Sequence, residues 1–181
     1  MLHNDVGDAP FVAQSHYALL LRGQTHRWGC DAVGRELQRA ALRSQIEMLV
    51  SPLGGVDIFL SLSRSCNSTC DDDVREAVGR TNVVSERNAT AREQSANVQS
   101  AVGWFMRTAE ARYRTLVMMR YDVLLLSPVT AWACNPSDPD RISLASPVEE
   151  RMWLRYNWTS DLMQIVPQRW FRVFADALGA R

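Results

Sequence analysis

The sequence contains no lysine, and all 20 of its basic residues are arginine. A P-loop nucleotide site needs a lysine against the phosphates, and pyridoxal or other Schiff-base chemistry needs a lysine amine. Both kinds of site are therefore excluded within this chain.

Histidines are also few, and the three present, His3, His16 and His26, all lie near the amino terminus. A Ser-His or Cys-His nucleophilic site would have to use one of them. The chain has no G-x-S-x-G motif, no H-E-x-x-H zinc pair and no G-x-G-x-x-G dinucleotide-binding turn. The sequence therefore lacks the usual motifs of serine hydrolases, zinc peptidases and Rossmann-type dehydrogenases.

Net charge and long apolar runs are lacking as well. The 20 basic side chains are balanced by 20 acidic ones, whereas a dedicated nucleic-acid-binding protein carries a basic surface. The longest apolar stretch, residues 115–129, contains Arg120 and Asp122 and is too short to span a bilayer. We therefore expect no nucleic-acid partner and no transmembrane segment in this chain.

Length and composition are those of a folded domain. With 181 residues, 46% of them hydrophobic and 22% charged, the chain can form one hydrophobic core. Residues 1–14 are polar and contain glycine and proline, so we expect a flexible amino-terminal segment there. We expect residues 15–181 to form a single domain.

Short apolar runs alternate with amphipathic segments along this domain. We predict strands at residues 16–23, 56–62, 81–85, 115–119 and 141–145. We predict helices at residues 33–50, 74–79, 92–113 and after Pro167. This alternation predicts an α/β fold with a mostly parallel sheet between helices. The strands at 16–23, 56–62 and 115–119 are expected to be neighbours in that sheet.

Two of the predicted helices carry several apolar residues. In the helix at 33–50 these residues are Leu37, Ala40, Ala41, Met48 and Leu49. In the helix at 92–113, Val98, Val102 and Phe105 recur at spacings of four and three, which is typical of one face of an amphipathic helix. We expect that face to pack on the sheet.

The four cysteines, Cys30, Cys66, Cys70 and Cys134, allow three complete disulfide pairings. We expect Cys66 to pair with Cys70, because only three residues separate them. Cys30 and Cys134 could pair only if the fold brings their Cα atoms within about 7 Å of each other.

Three acceptor patterns for N-glycosylation, at Asn67, Asn88 and Asn157, favour a lumenal or secreted location. Against this, residues 1–5 lack the charged and apolar regions of a signal peptide. We expect a truncated form of a protein from the Golgi or endoplasmic reticulum lumen. The alternative is a cytoplasmic protein with reduced cysteines and unused glycosylation patterns.

Asp71, Asp72 and Asp73 form a run of three carboxylates that could be interpreted as a metal site. We favour a structural interpretation, in which they open the short helix predicted at 74–79. Acidic side chains stabilise the amino-terminal turn of a helix through the helix dipole.

The segment Arg120-Tyr121-Asp122 places two charged residues between apolar runs. Burying either charge unpaired would be costly. One interpretation is that a strand ends here and the charges are solvated or paired with each other. The other is that the segment lies at the carboxyl end of a parallel strand, where open α/β folds bind their ligands. Side chains alternate along a strand, so Arg120 and Asp122 would share one side and Tyr121 would point the opposite way.

The order of these elements resembles nucleotide-sugar glycosyltransferases of the GT-A class. The resemblance rests on the strand that ends in Arg22-Gly23, on the alternation of strands and helices, and on a strand that is followed by Arg-x-Asp and a further apolar strand at 123–126. It extends to Asp161, which precedes an apolar stretch and Pro167. The resemblance covers roughly residues 16–178. It implies a Rossmann-like GT-A type half that transfers a sugar from a nucleotide-sugar donor to an unknown acceptor.

In this class a D-x-D-type motif holds a divalent cation, Mn²⁺ or Mg²⁺, against the donor diphosphate. Asp122 matches the last acidic position and is the metal ligand that the resemblance implies, whereas Arg120 replaces the first. Either a metal binds through one carboxylate, or Arg120 itself neutralises the diphosphate. Arg22 and Gly23 are expected to line the nucleotide pocket, and Asp161 to act as the general base near the acceptor.

We expect Arg22, Arg120 and Asp122 to converge in one pocket at the carboxyl edge of the sheet, with Asp161 on its rim. Two alternatives to a sugar transferase stay open. One is a degenerate homologue that keeps the fold without turnover, and the other is an unrelated α/β ligand-binding module.

Overall fold

A computed structural model describes residues 16–63, 66, 68–79, 83–89, 94–109, 112–132, 136, 138–144 and 162–180. These residues form one six-stranded sheet and four α-helices. The strands are β1 Tyr17–Gln24, β2 Asp57–Ser63, β3 Val83–Asn88, β4 Thr115–Arg120, β5 Ser143–Leu144 and β6 Met163–Pro167. The helices are α1 Ala32–Gln45, α2 Ser68–Val78, α3 Gln94–Ala109 and α4 Phe171–Ala177. The predicted flexible segment at residues 1–14 lies outside the described residues.

The strand order across the sheet is β3-β2-β1-β4-β6-β5. The first four of these strands are mutually parallel, and β6 runs antiparallel to both of its neighbours. Leu20 of β1 lies beside Phe59 of β2 on one side and Met118 of β4 on the other. This register confirms that the three apolar runs predicted as neighbouring strands are adjacent, and the α/β fold with a mostly parallel sheet is confirmed.

Two layers of helices cover the sheet, one on each face. Alternate residues of the central strands pack toward α1 and α2 in a cluster made mainly of leucine and valine. The other residues pack toward α3 and α4 in a cluster that contains Phe59, Phe105, Tyr113 and Phe171. Because both faces are covered, the central strands are apolar along almost their whole length, as buried parallel strands are.

Helix α3 packs as the sequence predicts. Val98, Val102 and Phe105 belong to the cluster on this face, and the Phe105 ring meets the Phe59 ring edge-on at 5.2 Å between centroids. The Phe59 ring also lies 5.6 Å from that of Tyr113. Edge-to-face contacts of this kind are favourable between aromatic rings.

Several predicted boundaries differ from the structure. Helix α1 and the π-helical turn Ile46–Val50 together span the predicted helix, and Asp31 caps its amino terminus by accepting a hydrogen bond from the Gly34 amide at 2.8 Å. Helix α2 begins at Ser68 rather than at residue 74, so the three consecutive aspartates lie inside it. Pro167 ends β6 and caps the 3₁₀ turn Gln168–Trp170 that leads into α4, so the helix predicted after Pro167 is confirmed, whereas β6 itself is not predicted from the sequence. The apolar run at 123–126, expected as a further strand, is not in a strand.

No helix among the described residues is long and apolar enough to cross a membrane.

Candidate functional site

A row of polar residues crosses the sheet near the carboxyl ends of four parallel strands. Arg120 of β4 pairs with Arg22 of β1, Arg22 pairs with Ser61 of β2, and Ser61 pairs with Arg87 of β3. Residues paired in this way lie on adjacent strands, about 4.8 Å apart, and point to the same face. We call these four residues the arginine row.

The arginine row lies on the face that α3 covers. Two positions earlier on three of the strands, Leu20, Phe59 and Met118 belong to the apolar cluster beneath α3. The Arg87 guanidinium carbon lies 5.4 Å from the centre of the Trp104 ring of α3, and its Nε donates to Ser61 Oγ at 3.1 Å. The sheet is therefore apolar up to this level and positively charged at its carboxyl edge.

Exposure differs along the row. Arg22 is only 1% exposed and Ser61 is fully buried. The Arg120 side chain is 14% exposed, and that of Arg27, in the loop after β1, is 50% exposed. A ligand in solution can therefore reach the guanidinium groups of Arg120 and Arg27 more readily than that of Arg22.

Strand β4 ends at Arg120, and the next two residues form a turn. Arg120 Nε donates to Asp122 Oδ1 at 2.8 Å, and its Nη2 donates to Asp122 Oδ2. Arg27 Nη1 lies 3.7 Å from Asp122 Oδ2. Tyr121 points away from this pair and is buried in the cluster beneath α1 and α2. The two charged residues pair with each other, one of the two interpretations derived from the sequence, and they do so at the carboxyl end of a parallel strand.

Polar side chains of α1 hold this turn in place. Gln38 Nε2 donates to the Tyr121 carbonyl at 2.7 Å. Gln45 Nε2 donates to the carbonyls of Arg120 at 3.1 Å and Val123 at 2.8 Å. Both glutamines are fully buried, and buried amides of this kind are normally hydrogen-bonded. The backbone that carries Arg120 and Asp122 is therefore fixed from the opposite face of the sheet.

Sequence reasoning did not find these glutamines. Gln38 and Gln45 are seven residues apart, so they lie on one side of α1. That spacing is visible in the sequence, but the helix is predicted there from its apolar residues and helix formers alone. Two polar residues at helical spacing beside apolar Ala41 and Leu42 were the signal that could have identified them.

Gly23 adjoins the row at the end of β1. Its φ of +100° is a conformation that residues with a side chain rarely adopt. A Cβ added to Gly23 would lie 4.0 Å from Arg120 Cγ, an ordinary contact, so the backbone angle and not the space requires glycine here.

The structure thus brings together Arg22, Gly23, Arg120 and Asp122. Asp161, the proposed general base, lies outside the described residues. That these side chains share one ligand pocket, and the role of each, stays a prediction.

A divalent cation at the D-x-D position would need suitable ligands from the residues there. Hard cations such as Mn²⁺ and Mg²⁺ bind groups of oxygen ligands with net negative charge. Here Asp122 supplies one carboxylate, both of its oxygens accept hydrogen bonds from Arg120, and Arg27 adds a second positive charge. This donor set does not fit the cation, so we derive no step through a metal bound to Asp122.

The run of three aspartates has a structural role at Asp73. Arg35 Nε and Arg39 Nη2 donate to its carboxylate at 2.7 and 2.8 Å and so join α1 to α2. Burial would raise the pKa of Asp73, but the hydrogen bonds from Arg39 and Arg35 outweigh it and lower the pKa. The carboxylate therefore stays ionised and is matched by two arginines.

The predicted disulfide is wrong. Cys66 pairs with Cys30, at a Cα separation of 5.8 Å, and not with Cys70. The loops after β1 and β2 meet because these parallel strands are neighbours, and this spatial proximity outweighs the short separation along the chain. Cys70 lies inside α2 with its side chain buried. The alternative pair of Cys30 with Cys134 is also wrong, since Cys30 is already bonded to Cys66, and Cys134 lies outside the described residues.

No protein-family model and no curated protein matches this chain. Several solved structures of other proteins do match it. An active-site mutant of LgtC is 11% identical, with a TM-score of 0.50, over 86% of this chain and 59% of that protein. The galactosyltransferase LgtC in complex with donor and acceptor sugar analogues is 12% identical, with a TM-score of 0.47 over the same shares.

A further match is a Desulfovibrio desulfuricans G20 protein provisionally named a nucleotide-diphospho-sugar transferase. It is 11% identical, with a TM-score of 0.41, over 60% of this chain and 48% of that protein. The present chain thus spans about half to three fifths of the length of these proteins. At such identities the likeness shows the fold alone, which is similar to that of GT-A glycosyltransferases.

Proposed function

We propose that this chain binds a nucleotide-sugar donor through its diphosphate at the carboxyl edge of the sheet and transfers the sugar to an acceptor. The observation that carries the proposal is the arginine row with its partner Asp122. Guanidinium groups bind phosphate oxygens through paired, charge-assisted hydrogen bonds. Ligands of open α/β sheets bind in the crevice outside the carboxyl ends of the strands, which is where this row lies.

The electrostatics of Arg87 support an anionic ligand. Burial and the neighbouring Arg107 both lower the pKa of Arg87. A lowered pKa means that the charged form is disfavoured, and a nearby negative charge would favour it again. A diphosphate at this edge would supply that charge.

In this proposal Arg120 neutralises the diphosphate in place of a metal ion. Its bond to Asp122 fixes the direction of the guanidinium, and Arg27 offers a second, more exposed cation beside it. When the sugar leaves, negative charge develops on the terminal phosphate, and guanidinium groups already in place stabilise that charge. Arg22 and Gly23 are proposed to shape the floor of the nucleotide site.

Calorimetric titration with UDP- and GDP-sugars tests the binding step, once with Mn²⁺ and once with EDTA. We expect EDTA to leave the affinity unchanged. Arg120→Gln should weaken binding about 10- to 100-fold, because hydrogen bonds to charged groups contribute about 1.5–3 kcal/mol. Arg43→Gln is the matched control, since Arg43 is exposed on α1 and pairs with Glu36.

The metal alternative gives a different pattern in the same titration. If the donor bound only with Mn²⁺, and Asp122→Asn removed that dependence while the melting temperature stayed the same, Asp122 would be a metal ligand after all. If no nucleotide sugar bound under either condition, the chain would be an unrelated α/β ligand-binding module.

Asp161 remains our proposal for the general base, on the strength of the resemblance described above. Asp161→Asn should abolish the release of nucleoside diphosphate in the presence of acceptor while leaving donor affinity unchanged. Donor binding without any turnover in the unsubstituted chain would instead identify a degenerate homologue.

We also propose a location in the Golgi or endoplasmic reticulum lumen, or secretion. The Cys30–Cys66 disulfide supports this proposal, because disulfides persist in oxidising compartments. Asn88, one of the three glycosylation patterns, is exposed at the end of β3. Expression through a eukaryotic secretory pathway should give a product whose mass falls on enzymatic removal of N-glycans, and an unchanged mass would contradict the proposal.

A further inference from the structure

A second group of side chains with ligand chemistry lies in the loops that follow β1 and β2 and in the first turn of α2. One ligand atom each of His26, Cys66 and Cys70 lies within 4.8 Å of the others. His26 and Cys70 are buried and Cys66 is partly buried. The fourth member is Cys30, whose sulfur is bonded to that of Cys66. Three sulfurs and one imidazole therefore meet at one point of the fold.

His26 is held in an unusual way at the centre of this group. The residue is 1% exposed, and within the described part of the chain neither ring nitrogen has a hydrogen-bond partner. Its φ of +55° is rare for a residue other than glycine, and its amide donates to Gln38 Oε1 at 2.9 Å. Buried polar atoms are normally satisfied, so an imidazole fixed in this way indicates a partner for its ring.

The sequence spacing matches the geometry. The motifs are His26-x₃-Cys30 and Cys66-x₃-Cys70, two pairs of ligands each separated by three residues. Structural zinc sites are built from two such pairs, with two to five residues between the members of a pair. The neighbouring parallel strands β1 and β2 bring the two pairs together.

We propose that in the reduced chain His26, Cys30, Cys66 and Cys70 bind one Zn²⁺ ion in a tetrahedral site. Zinc bonds of about 2.3 Å to sulfur and about 2.0–2.1 Å to nitrogen place neighbouring ligand atoms about 3.5–3.8 Å apart. The atoms of His26, Cys66 and Cys70 need to close by only about 1 Å to reach this spacing. Soft thiolates select zinc over the hard cations Mn²⁺ and Mg²⁺.

The charge and hydrogen-bonding environment fits a zinc-bound histidine. Asp73 Oδ2 lies 4.0 Å from His26 Nε2, and Arg35 and Arg39 hold that carboxylate in place. Zinc-bound histidines commonly donate their second ring N–H to a carboxylate, which orients the ring. Burial also lowers the pKa of His26, which favours the neutral, metal-binding form.

Zinc and the disulfide exclude each other, because both use the sulfurs of Cys30 and Cys66. A dithiol reductant supplies two electrons and two protons to the Cys30–Cys66 bond, leaves as its own disulfide and yields two thiols. Binding of Zn²⁺ then releases one proton from each of the three thiols, and His26 binds as neutral imidazole. Either linkage ties the loop after β1 to the segment that leads from β2 into α2, and the loop after β1 carries Arg27 toward Asp122.

Zinc content of the full chain tests the proposal. The protein is reduced with a dithiol without oxygen, loaded with Zn²⁺, freed of excess metal and analysed by mass spectrometry of the elements. We expect one zinc per reduced chain and none per oxidised chain. X-ray absorption at the zinc edge should show three sulfur ligands and one nitrogen ligand. A reduced chain without stoichiometric zinc, or a ligand shell of oxygen, would overturn the proposal.

Two variants and two matched controls assign the ligands. Cys70→Ser and His26→Gln should each weaken zinc binding at least tenfold, measured by competition with a chromophoric chelator. Cys134→Ser and His16→Gln make the same chemical changes elsewhere and should leave the affinity within twofold. Equal losses in variants and controls, or no loss in the variants, would contradict the assignment.

Folding of the variants is checked in the oxidised form, where both variants retain the Cys30–Cys66 disulfide. Circular dichroism of that form should match the unsubstituted chain. If a variant fails this check, the X-ray absorption of the unsubstituted chain decides, since it counts the ligands without any substitution.

Discussion

Helices α1 and α3 cover opposite faces of the same sheet, and they do so with different chemistry. The buried side of α3 is mainly apolar, with Val102 and Phe105 packed on the central strands and Asn97 as the one buried polar side chain among its described residues. The buried side of α1 combines Leu42 with Gln38 and Gln45, all three of them fully buried. One helix is held by apolar contact, and the other both by apolar contact and by hydrogen bonds to the backbone.

The difference shows where the fold supports the candidate site. An apolar contact stabilises the sheet wherever it lies, since its contribution follows the area removed from water. The amides of α1 have specific partners, the carbonyls of Arg120, Tyr121 and Val123. Helix α3 therefore stabilises the fold as a whole, whereas α1 also determines the position of the turn that carries Arg120 and Asp122.

The largest effect is expected on the α3 face. Phe105→Ala removes a fully buried ring that contacts Phe59 and Phe171, and it should lower the free energy of unfolding by about 3–5 kcal/mol. Urea denaturation measures this loss. Donor affinity of the protein that remains folded should be unchanged, and a matching loss of affinity would contradict the division of roles between the two helices.

A smaller loss is expected at the amino end of the strands on the same face. Tyr113 is fully buried and its hydroxyl donates to Asp57 Oδ2 at 2.8 Å. Burial and this hydrogen bond raise the pKa of Tyr113, so the hydroxyl stays a donor. Tyr113→Phe removes the donor and should cost about 1.5–3 kcal/mol, the contribution of a hydrogen bond to a charged group. Thermal unfolding measures it, and donor titration should show no change.

A comparable or smaller loss of stability on the α1 face should come with a loss of function. Gln45→Met keeps the approximate volume of the side chain but removes the side-chain donor to the Val123 carbonyl and leaves the Arg120 carbonyl with the Val123 amide at 3.4 Å, at a cost of about 1–3 kcal/mol. Because those carbonyls position the turn, donor affinity should fall as well.

Gln99→Met is the matched control for this substitution, since Gln99 is exposed on α3. It should change neither the free energy of unfolding nor the affinity. If Gln45→Met lowered stability as expected but left donor affinity intact, α1 would have no special relation to the site.

The sequence predicts the buried side of α3 better than the buried side of α1. Val98, Val102 and Phe105 are apolar and periodic, so hydrophobic patterning identifies their buried face correctly. In the helix predicted at 33–50, by contrast, Leu37 is 47% exposed whereas Ala41 and Leu49 are buried, so its apolar residues do not share one buried side. Patterning counts apolar residues, and it cannot recognise a glutamine whose burial is offset by hydrogen bonds to a strand far away in the sequence.

The candidate site likewise has a part that the sequence predicts and a part that it does not. That Arg22, Gly23, Arg120 and Asp122 lie together follows from adjacent parallel strands, which the apolar runs predict. The inclusion of Arg87 depends on the register of β3, an edge strand whose exact limits the sequence did not predict. The Cys30–Cys66 bond depends on which loops meet in space, and short separation along the chain led to the wrong pair.

The smallest expected effect is that of Leu37→Ala, measured against the same substitution at a buried position of α1. Leu37→Ala and Leu42→Ala are the same substitution on one helix, five residues apart. Leu42 is fully buried against the sheet, so Leu42→Ala should lower the free energy of unfolding by about 2–5 kcal/mol. Leu37 lies beside Val33 and Ala40 on the outer side of α1, so Leu37→Ala should change it by less than about 0.5 kcal/mol.

Urea denaturation of the two variants side by side gives the result directly. Alanine is the better helix former, which offsets part of the small loss at Leu37. A large effect at Leu37 with a small one at Leu42 would mean that α1 presents the Leu37 side to the sheet. The glutamines would then face solvent, and the hydrogen bonds that hold Arg120 and Asp122 in place could not form.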